Sequence, residues 1–370
     1  MKKQPRYIIS GGGTGGHIYP ALAIAEEIKR RNPEAYIHFV GAKGRMEMEK
    51  VPAAGYRISG LWISGIDRSL TLRNLSFPLK LISSLWKAFW ILRKYKPVAV
   101  IGTGGFASGP TLFMAAKMGI PTLIQEQNSY PGITNRWLSS KVKKICVAYD
   151  GLSRWFPDDK IVFTGNPVRK DLNNSTHLRE QARADYGIPA DATCVLALGG
   201  SLGAKAINDF IEINIQWFVD QEVYLIWQTG KLYAEHCSEV VRHLNSQFVQ
   251  AHAFLNEMPK TYALADIVIS RAGAGTLSEL CLAKKAAVLV PSPNVAEDHQ
   301  TKNALALAEN GAAILVKQEE MELRLLPVLN DLCSNQEKRK QLEQEISKKA
   351  TDQADVKIVD QVESIIGTAS

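Results

Sequence analysis

The chain has 370 residues, of which 46% are hydrophobic and 22% charged, and its formal net charge is +7. This length predicts two domains, because single hydrophobic cores rarely grow so large. The five cysteines are scattered and form no CxxC pair, which argues against a zinc site or a disulfide framework.

Positive charge is concentrated in the first half of the chain. Between Asp67 and Asp150 the sequence carries twelve Lys and Arg residues but only one acid, Glu126. Such a tract predicts an anionic partner: a phospholipid, a phosphate-bearing substrate or a nucleic acid. The alternative is a solvated basic face without a partner. No recognised nucleic-acid motif appears, and the N-terminal apolar run is too short to predict a signal peptide.

The first predicted strand, residues 6–10, leads into the glycine-rich segment GGGTGGH (11–17) and then a helix to about residue 31. The spacing matches the GxGxxG dinucleotide pattern. However, the second predicted strand (36–40) lacks the acid that dinucleotide folds place near its end. The loop therefore predicts an anion or sugar site, with a plain tight turn as the alternative. His17, where loop becomes helix, is a candidate general base or a structural histidine.

Residues 75–95 predict an amphipathic helix. Its apolar positions at helical spacing are Leu79, Ile82, Leu85, Trp86, Phe89 and Leu92. Lysines at 80, 87 and 94 interrupt the run, so it cannot cross a bilayer as a clean apolar helix. The pattern predicts either a helix lying on an anionic membrane surface or a helix packed on a sheet with a basic outer face.

Two further strands of the first half are predicted at 98–101 and 121–124. The first is followed by another glycine loop, GTGGFASGP (102–110), and the second by Glu126. Because ligands bind beyond the carboxyl ends of parallel strands, Glu126 is a candidate base or a residue that orients a partner. Its alternative role is a structural salt bridge.

The second half repeats the same series of strand, glycine turn and helix. After a last strand of the first half at 160–163, TGNPVR (164–169) has the composition of a linker. Strands are predicted at 194–198, 223–227, 248–251, 267–270 and 286–290, with GGSLGA (199–204) after the first. We expect two parallel-sheet domains, 1–164 and 165–349, with a C-terminal helix at about 350–370 packing back on the first.

The segment 266–300 predicts a nucleotide pocket. A strand enters a turn with Gly273 and Gly275, and a helix starting at about Thr276 carries Glu279 in its first turns. Backbone N–H groups at such a helix start suit phosphate, and a carboxylate just inside it suits ribose hydroxyls. The chain has no DxD, HExxH, GxxxxGK[ST] or GxSxG motif, so metal hydrolysis, P-loop chemistry and serine hydrolysis lack their residues. The reaction class that remains is group transfer from an activated nucleotide, in a cleft between two domains.

Seven ordered motifs resemble the MurG family. They are GGGTGGHIYPALAIA, GTGGFASGP, EQNSYPGITNRWL, GNPVR, GGSLGA, SRAGAGTLSEL and DHQTKNA. This family is the undecaprenyldiphospho-muramoylpentapeptide β-N-acetylglucosaminyltransferase of peptidoglycan synthesis. The resemblance implies an α/β GT-B fold with two Rossmann-like domains facing a central cleft. It also implies inverting transfer of N-acetylglucosamine from UDP-N-acetylglucosamine to the 4-hydroxyl of lipid I, giving lipid II.

The resemblance also implies where the donor binds. The positions it places around UDP-N-acetylglucosamine are Thr14, Gly15, Gly16, Asn128, Arg169, Ser201, Leu255, Ala274, Gly275, Thr276, Leu277, Ser278, Glu279 and Gln300. Leu255 would contact uracil through its backbone, Glu279 the ribose hydroxyls, and Ser201 the phosphates. Asn128 and Gln300 would contact the sugar.

For the base that takes the proton from the acceptor hydroxyl, His17 is the first choice and Glu126 the second. The family often has His before this Glu, where this chain has Gln125. The resemblance implies no metal or other cofactor, and a peripheral place on the cytoplasmic face of the bacterial plasma membrane. Implied partners are UDP-N-acetylglucosamine, lipid I, anionic phospholipid and other cell-wall synthesis and division proteins, but no nucleic acid.

We expect the basic, aromatic helix to meet lipid and guide the acceptor. The residues expected to take part are Lys80, Trp86, Phe89, Lys141, Lys143 and Lys144. Two alternative functions remain open: a UDP-N-acetylglucosamine 2-epimerase of the same fold, and a non-catalytic scaffold of cell-wall synthesis.

Overall fold

The computed structural model describes residues 4–65, 76–168, 171–172, 177–200 and 202–367. The chain divides into two compact units. The first is Met1–Val168 with Gln353–Ser370, and the second is Arg169–Asp352. The first boundary thus lies inside the TGNPVR segment.

The first unit is built on a seven-stranded sheet. Its strands are β1 (Arg6–Gly11), β2 (Tyr36–Ala42), β3 (Arg57–Leu61), β4 (Ala99–Gly104), β5 (Thr122–Glu126), β6 (Lys144–Val147) and β7 (Ile161–Phe163). They pair in the order β3-β2-β1-β4-β5-β6-β7, and every pairing is parallel. Parallel strands are covered on both faces, which explains their nearly continuous apolar sequences.

Helices cover both faces of this sheet. They are α1 (Gly15–Arg31), α2 (Glu47–Ala53), α3 (Phe77–Tyr95), α4 (Ser108–Lys117), α5 (Ile133–Leu138) and the C-terminal α15 (Ala354–Gly367). Helix α15 packs against α1, and its Ile358 and Val362 lie in one buried cluster with Ile24 and Ile101. The end of the chain therefore completes the core of the first unit.

The second unit holds a six-stranded parallel sheet. Its strands are β8 (Cys194–Leu198), β9 (Tyr224–Gln228), β10 (Val249–His252), β11 (Ile267–Ser270), β12 (Ala286–Leu289) and β13 (Ile314–Leu315), in the order β10-β9-β8-β11-β12-β13. Its helices are α6 (Arg179–Asp185), α7 (Lys205–Ile213), α8 (Ile215–Asp220), α9 (Ala234–Leu244), α10 (Met258–Leu264), α11 (Ala274–Ala283), α12 (His299–Ala308), α13 (Met321–Ser334) and α14 (Gln336–Ser347).

Both units are Rossmann-like, and the predicted α/β class is confirmed. In each sheet the strand order reverses next to the first strand of the unit, β1 or β8, which is where such sheets bind ligands beyond their carboxyl ends. The glycine segments follow β1, β8 and β11, and GTGG spans the end of β4, which is Gly104. Across the described residues, no helix combines the length and apolarity needed to cross a membrane.

Candidate active site

The loop after β1 holds the ring of His17. Helix α1 begins at Gly15, so His17 lies in its first turn. The Nδ1 atom of His17 is 2.9 Å from the carbonyl oxygen of Gly12 and 3.3 Å from Oγ1 of Thr14. A carbonyl oxygen only accepts, so Nδ1 carries the proton in this contact. In the neutral ring the lone pair then resides on Nε2, the arrangement a general base needs.

The glycine loop after β4 packs directly against this histidine. A Cβ on Gly104 would lie 2.8 Å from Cδ2 and 2.9 Å from Nε2 of His17, and one on Gly105 would lie 2.2 Å from the carbonyl oxygen of Gly12. Both glycines have positive φ, +99° and +86°. Thr103 Oγ1 also donates to the His17 carbonyl at 2.8 Å. The GTGG motif therefore makes room for His17 and its loop.

The buried carboxylate of Glu47 binds the glycine loop that follows β1. No sequence motif pointed to this residue. Glu47 opens α2 and is fully buried. Its Oε2 accepts from the Gly13 N–H at 2.8 Å and its Oε1 from the Ala42 N–H at 2.9 Å. The segment GAKGRMEMEK offers no spacing that ties Glu47 to residue 13, so only the fold reveals the contact.

Glu126 lies at the end of β5, as predicted, but its surroundings differ from those expected of a base. It is 1% exposed. One carboxylate oxygen accepts from the N–H and the Nδ2 of Asn128, both at 3.1 Å. The other accepts from the Gly132 N–H at 3.1 Å and from Asn135 Nδ2 at 2.8 Å. Four donors occupy the carboxylate, so the geometry favours a loop-organising role over proton abstraction.

Gln125, which stands where the family often has His, points into a buried amide network. Its Nε2 donates to Oδ1 of Asn166 at 3.0 Å, and its Oε1 accepts from Gln127. Gln127 Nε2 also donates to the Thr103 carbonyl at 2.7 Å, and Asn166 Nδ2 to the Gln127 carbonyl at 3.0 Å. This network ties the GNP turn to the ends of β4 and β5.

In the second unit, helix α11 begins directly after the glycine turn that follows β11. The helix begins at Ala274, two residues before the predicted start, with Gly273 at its N-cap. The first turn carries no acid, and Gly275 is exposed. Amides of a first helical turn lack intrahelical acceptors and bind phosphate. The side chain of Leu277 is buried, and Ser278 Oγ donates to the Ala274 carbonyl at 3.1 Å.

Two predicted nucleotide contacts already have partners inside the unit. Glu279 is half-buried, and its Oε2 accepts from the hydroxyl of the buried Tyr262 at 3.1 Å. The Leu255 N–H donates to Oε1 of Gln228 at 3.0 Å, and its side chain is buried. Tyr262 and Gln228 therefore hold in place the two groups predicted to contact ribose and base, and neither was found by sequence motifs.

A cavity of about 560 Å³ opens between the loops of the second unit. Its lining includes Gly199, Gly203, Ala204, the start of α7, Arg271, Ser292, Gln300 and Gln318. Arg271 donates from Nη1 to the carbonyls of Val290 and Pro291 at 3.1 and 3.0 Å, and from Nη2 to Gln318 at 2.7 Å. Burial lowers the pKa of its guanidinium. Gln300 Oε1 accepts from the Ser292 N–H at 2.9 Å.

Two of the predicted donor contacts, Arg169 and Ser201, lie outside the described residues. Thr14, Gly15 and Gly16 lie at the start of α1, beside His17. Asn128 lies beside Glu126. No cluster of three or more His, Cys, Asp or Glu side chains suited to a metal ion occurs in the part of the chain that the structure describes. Independence from metal stays a prediction.

Helix α3 exposes an apolar stripe, which we call the α3 stripe. It consists of Leu79, Ile82, Trp86 and Trp90, which are 52–65% exposed. The predicted apolar positions divide between surface and core, because Leu92 is buried in the core and Phe89 is half-buried against Trp90. The Nζ atom of Lys80 lies 6.0 Å from the ring centre of the exposed Trp62.

A second exposed aromatic residue with a neighbouring lysine occurs around α5. Trp137, in α5, is 47% exposed, and the Lys141 Nζ lies 5.0 Å from its ring centre. Exposed aromatic rings next to lysines are typical of surfaces that meet anionic lipid.

Comparison with known proteins gives the class. The N-terminal domain model of glycosyltransferase family 28 matches residues 7–147, and the C-terminal domain model matches residues 194–361. The crystal structure of Acinetobacter baumannii MurG superposes with a TM-score of 0.78 at 29% identity, covering 98% of this chain and 100% of that one. The two Rossmann-like domains and these matches define a GT-B glycosyltransferase of family 28.

Two full-length relatives identify the family more closely. Proteins from Christiangramia forsetii and Bacteroides fragilis are 53% and 51% identical to this chain, covering 99% and 96% of it and 99% and 94% of their own lengths. Both are named UDP-N-acetylglucosamine–N-acetylmuramyl-(pentapeptide) pyrophosphoryl-undecaprenol N-acetylglucosamine transferase. The chain belongs to this family, the MurG family. A UDP-N-acetylglucosamine 2-epimerase shares only the fold, at 13% identity and a TM-score of 0.64.

Proposed function

We propose that this chain transfers N-acetylglucosamine from UDP-N-acetylglucosamine to the 4-hydroxyl of lipid I, giving lipid II and UDP. The observation that carries the proposal is 53% identity over 99% of the chain to a transferase named for this donor and acceptor. The seven motifs, spread over both units, support the same reaction.

The second unit binds the donor nucleotide. Amides at the start of α11 meet the diphosphate, where the helix dipole favours negative charge. Glu279, held by Tyr262, accepts from the ribose hydroxyls. The Leu255 carbonyl accepts a hydrogen bond from uracil. The Leu255 N–H donates to uracil once its hydrogen bond to Gln228 is broken. The cavity beside Arg271 and Gln300 takes the diphosphate and sugar.

His17 acts as the general base. Its Nε2 accepts the proton of the acceptor's 4-hydroxyl while that oxygen forms a bond to the anomeric carbon. The bond from the anomeric carbon to the diphosphate oxygen breaks, and UDP leaves with the electron pair. Attack on the face opposite UDP inverts the anomeric centre. Helix N-termini stabilise the developing charge on the diphosphate, so no metal is needed.

The α3 stripe and the Trp137–Lys141 pair bind the cytoplasmic face of the membrane, where lipid I resides. Support comes from the exposure of four apolar side chains on one helix and from lysines beside aromatic rings. Apolar side chains enter the headgroup boundary, and lysines meet anionic phospholipid.

The test is sugar transfer from radiolabelled UDP-N-acetylglucosamine to a short-chain lipid I analogue, with EDTA present, by wild type and His17→Ala. We expect lipid-linked product from wild type. We expect a loss of about 10² or more in kcat for His17→Ala, with donor binding intact, since general-base catalysis contributes that much.

Three other outcomes would contradict parts of the proposal. Transfer by wild type with an unharmed His17→Ala variant would remove His17 from the base role. Transfer that EDTA abolishes and Mg²⁺ restores would contradict metal independence. Release of an epimerised sugar nucleotide, without transfer, would replace the proposal by the epimerase reaction.

A further inference from the structure

We propose that Glu47 is a positioning residue for His17 and acts on it through one peptide unit, that between Gly12 and Gly13. The proposal deepens the proposed function, because it rests on His17 being the base. The influence of Glu47 on the ring passes through the backbone of the glycine loop after β1.

The three groups form a continuous chain of hydrogen bonds. Glu47 Oε2 accepts from the N–H of Gly13 at 2.8 Å. The carbonyl of the same peptide unit belongs to Gly12, and its oxygen accepts from Nδ1–H of His17 at 2.9 Å. The described backbone has no cis peptide bond, so N–H and C=O point to opposite sides of this unit. The carboxylate and the imidazole therefore bind its two ends.

The carboxylate is fixed in this position. Glu47 is fully buried, and its second oxygen accepts from the Ala42 N–H at 2.9 Å. A Cβ on Gly12 would lie 2.1 Å from Oε1 of Glu47, and one on Gly41 would lie 2.5 Å from its Cγ. Two glycines thus leave the space that the Glu47 side chain fills, and one of them belongs to the peptide unit in question.

The effect on His17 follows from the polarity of the peptide. A carboxylate that accepts a hydrogen bond from a peptide N–H polarises that peptide unit. The carbonyl oxygen of the unit then becomes a stronger acceptor, because hydrogen bonds in series strengthen one another. A stronger acceptor at Gly12 holds the proton on Nδ1 and leaves the lone pair on Nε2. In serine proteases an aspartate does this by binding the imidazole directly. Here a peptide unit stands between carboxylate and ring.

The experiment measures the tautomer of His17 without turnover. The full chain is labelled with ¹⁵N-histidine, and imidazole spectra are recorded for wild type, Glu47→Gln and Glu27→Gln, with the His17 signals assigned by their loss in His17→Ala. Glu27 is the matched control. It is a fully buried glutamate in α1, the helix that carries His17, but it pairs with Arg30 and Arg31. kcat for sugar transfer is measured on the same samples.

We expect a pyrrole-type Nδ1 and a pyridine-type Nε2 in wild type and in Glu27→Gln. In Glu47→Gln the side-chain NH₂ group faces one of the two backbone N–H donors, so that this donor loses its acceptor. We expect a mixture of tautomers and a kcat lower by roughly tenfold to a hundredfold, the range of one charge-assisted hydrogen bond. Glu47→Asp, which keeps the charge, should recover part of the Nδ1–H population.

An unchanged tautomer in a folded Glu47→Gln variant would overturn the proposal. So would an Nε2–H tautomer in wild type, a result that needs no Glu47 variant and decides the matter even if Glu47→Gln does not fold. If the expected tautomer shift occurs on substitution but wild type transfers no sugar, the proposed reaction fails while the contact between Glu47 and His17 stands.

Discussion

Glu47 and Glu126 are buried carboxylates of the first unit that both accept hydrogen bonds from backbone amides, yet they organise different loops. Glu126 accepts four hydrogen bonds from the segment that follows it, residues 128–135. A carboxylate occupied in this way shapes the loop that carries Asn128. For this reason our proposal gives the proton of the acceptor to His17 and not to Glu126.

Glu126→Gln should act mainly on stability. The amide nitrogen replaces an acceptor that serves two donors, and each buried group left without a partner costs about 1–3 kcal/mol. We expect a lower midpoint of urea unfolding and a weaker affinity for donor or acceptor, with kcat changed less than in His17→Ala. A loss of about 10³ in kcat with unchanged unfolding would show instead that Glu126 is the base.

His38 makes stability depend on pH. Burial, with Lys94 and Arg57 adding to it, lowers the pKa of His38 from 6.5 to about 4. Between these two values the unfolded chain binds a proton that the folded chain does not, so stability should fall as the pH falls from about 6.5 to about 4.

His38→Phe keeps a ring stacked on Tyr95, whose centre is 4.1 Å away, but cannot titrate. We expect a flatter dependence of Tm on pH in this interval. The exposed His243, changed to Phe, is the control and should leave the slope unaltered. An equal slope in wild type and His38→Phe would contradict the assignment.

At the scale of elements, the turn at the end of β4 limits where His17 can lie. Gly104→Ala places a methyl group 2.9 Å from Nε2 of His17, so the ring must move. We expect kcat to fall by about tenfold or more, because small displacements of a catalytic group are costly, with UDP binding unchanged. Gly119→Ala is the control, since Gly119 also has positive φ, +72°, but a Cβ there would meet nothing within 4 Å. Equal losses in both variants would point to backbone strain alone.

The α3 stripe is the element predicted to bind lipid. Replacing Ile82 and Trp86 together by Ser removes two exposed apolar side chains. We expect binding to vesicles containing anionic phospholipid to weaken by at least about tenfold, from the transfer free energy of the lost side chains. Leu323→Ser, at an 82% exposed site in the second unit, should bind as wild type does. Unchanged binding by the double variant would place the lipid contact elsewhere.

At the scale of the whole molecule, the chain leaves the first unit, forms the second and returns. Helix α15 buries Ile358 and Val362 against α1 and β4, and Arg31 pairs with Asp360 and Glu363 of the same helix. The stability of the first unit therefore depends on residues more than 300 positions apart in the sequence.

Ile358→Ala should destabilise the first unit by about 2–5 kcal/mol, the usual cost of such a truncation in a core. Hydrogen exchange followed by mass spectrometry should show faster exchange in β1 and β4 and unchanged exchange in β8 and β11. Leu329→Ala, in the core of the second unit, should give the reverse pattern. Loss of protection in both units from either variant would show that they unfold as one.

The sequence by itself determined the parts of this protein that depend on local pattern. Apolar runs bounded by glycine turns predicted β1, β4, β8 and β11, because a buried parallel strand is apolar on both faces. The short strands β3 and β6 were not predicted from the sequence. Seven motifs predicted the family and its two Rossmann-like domains.

Only the tertiary structure decided what individual polar side chains do. Glu47 lies 34 positions from Gly13, whose amide it binds, and Gly104 makes room for His17, which lies far earlier in the sequence. The four donors around Glu126, the second candidate base, and the division of the apolar positions of α3 between surface and core both emerge only in the folded chain. The contacts of Glu47 with Gly13 and of Gly104 with His17 join residues brought together by the sheet, and sequence spacing carries no signal for partners that meet only in the folded chain.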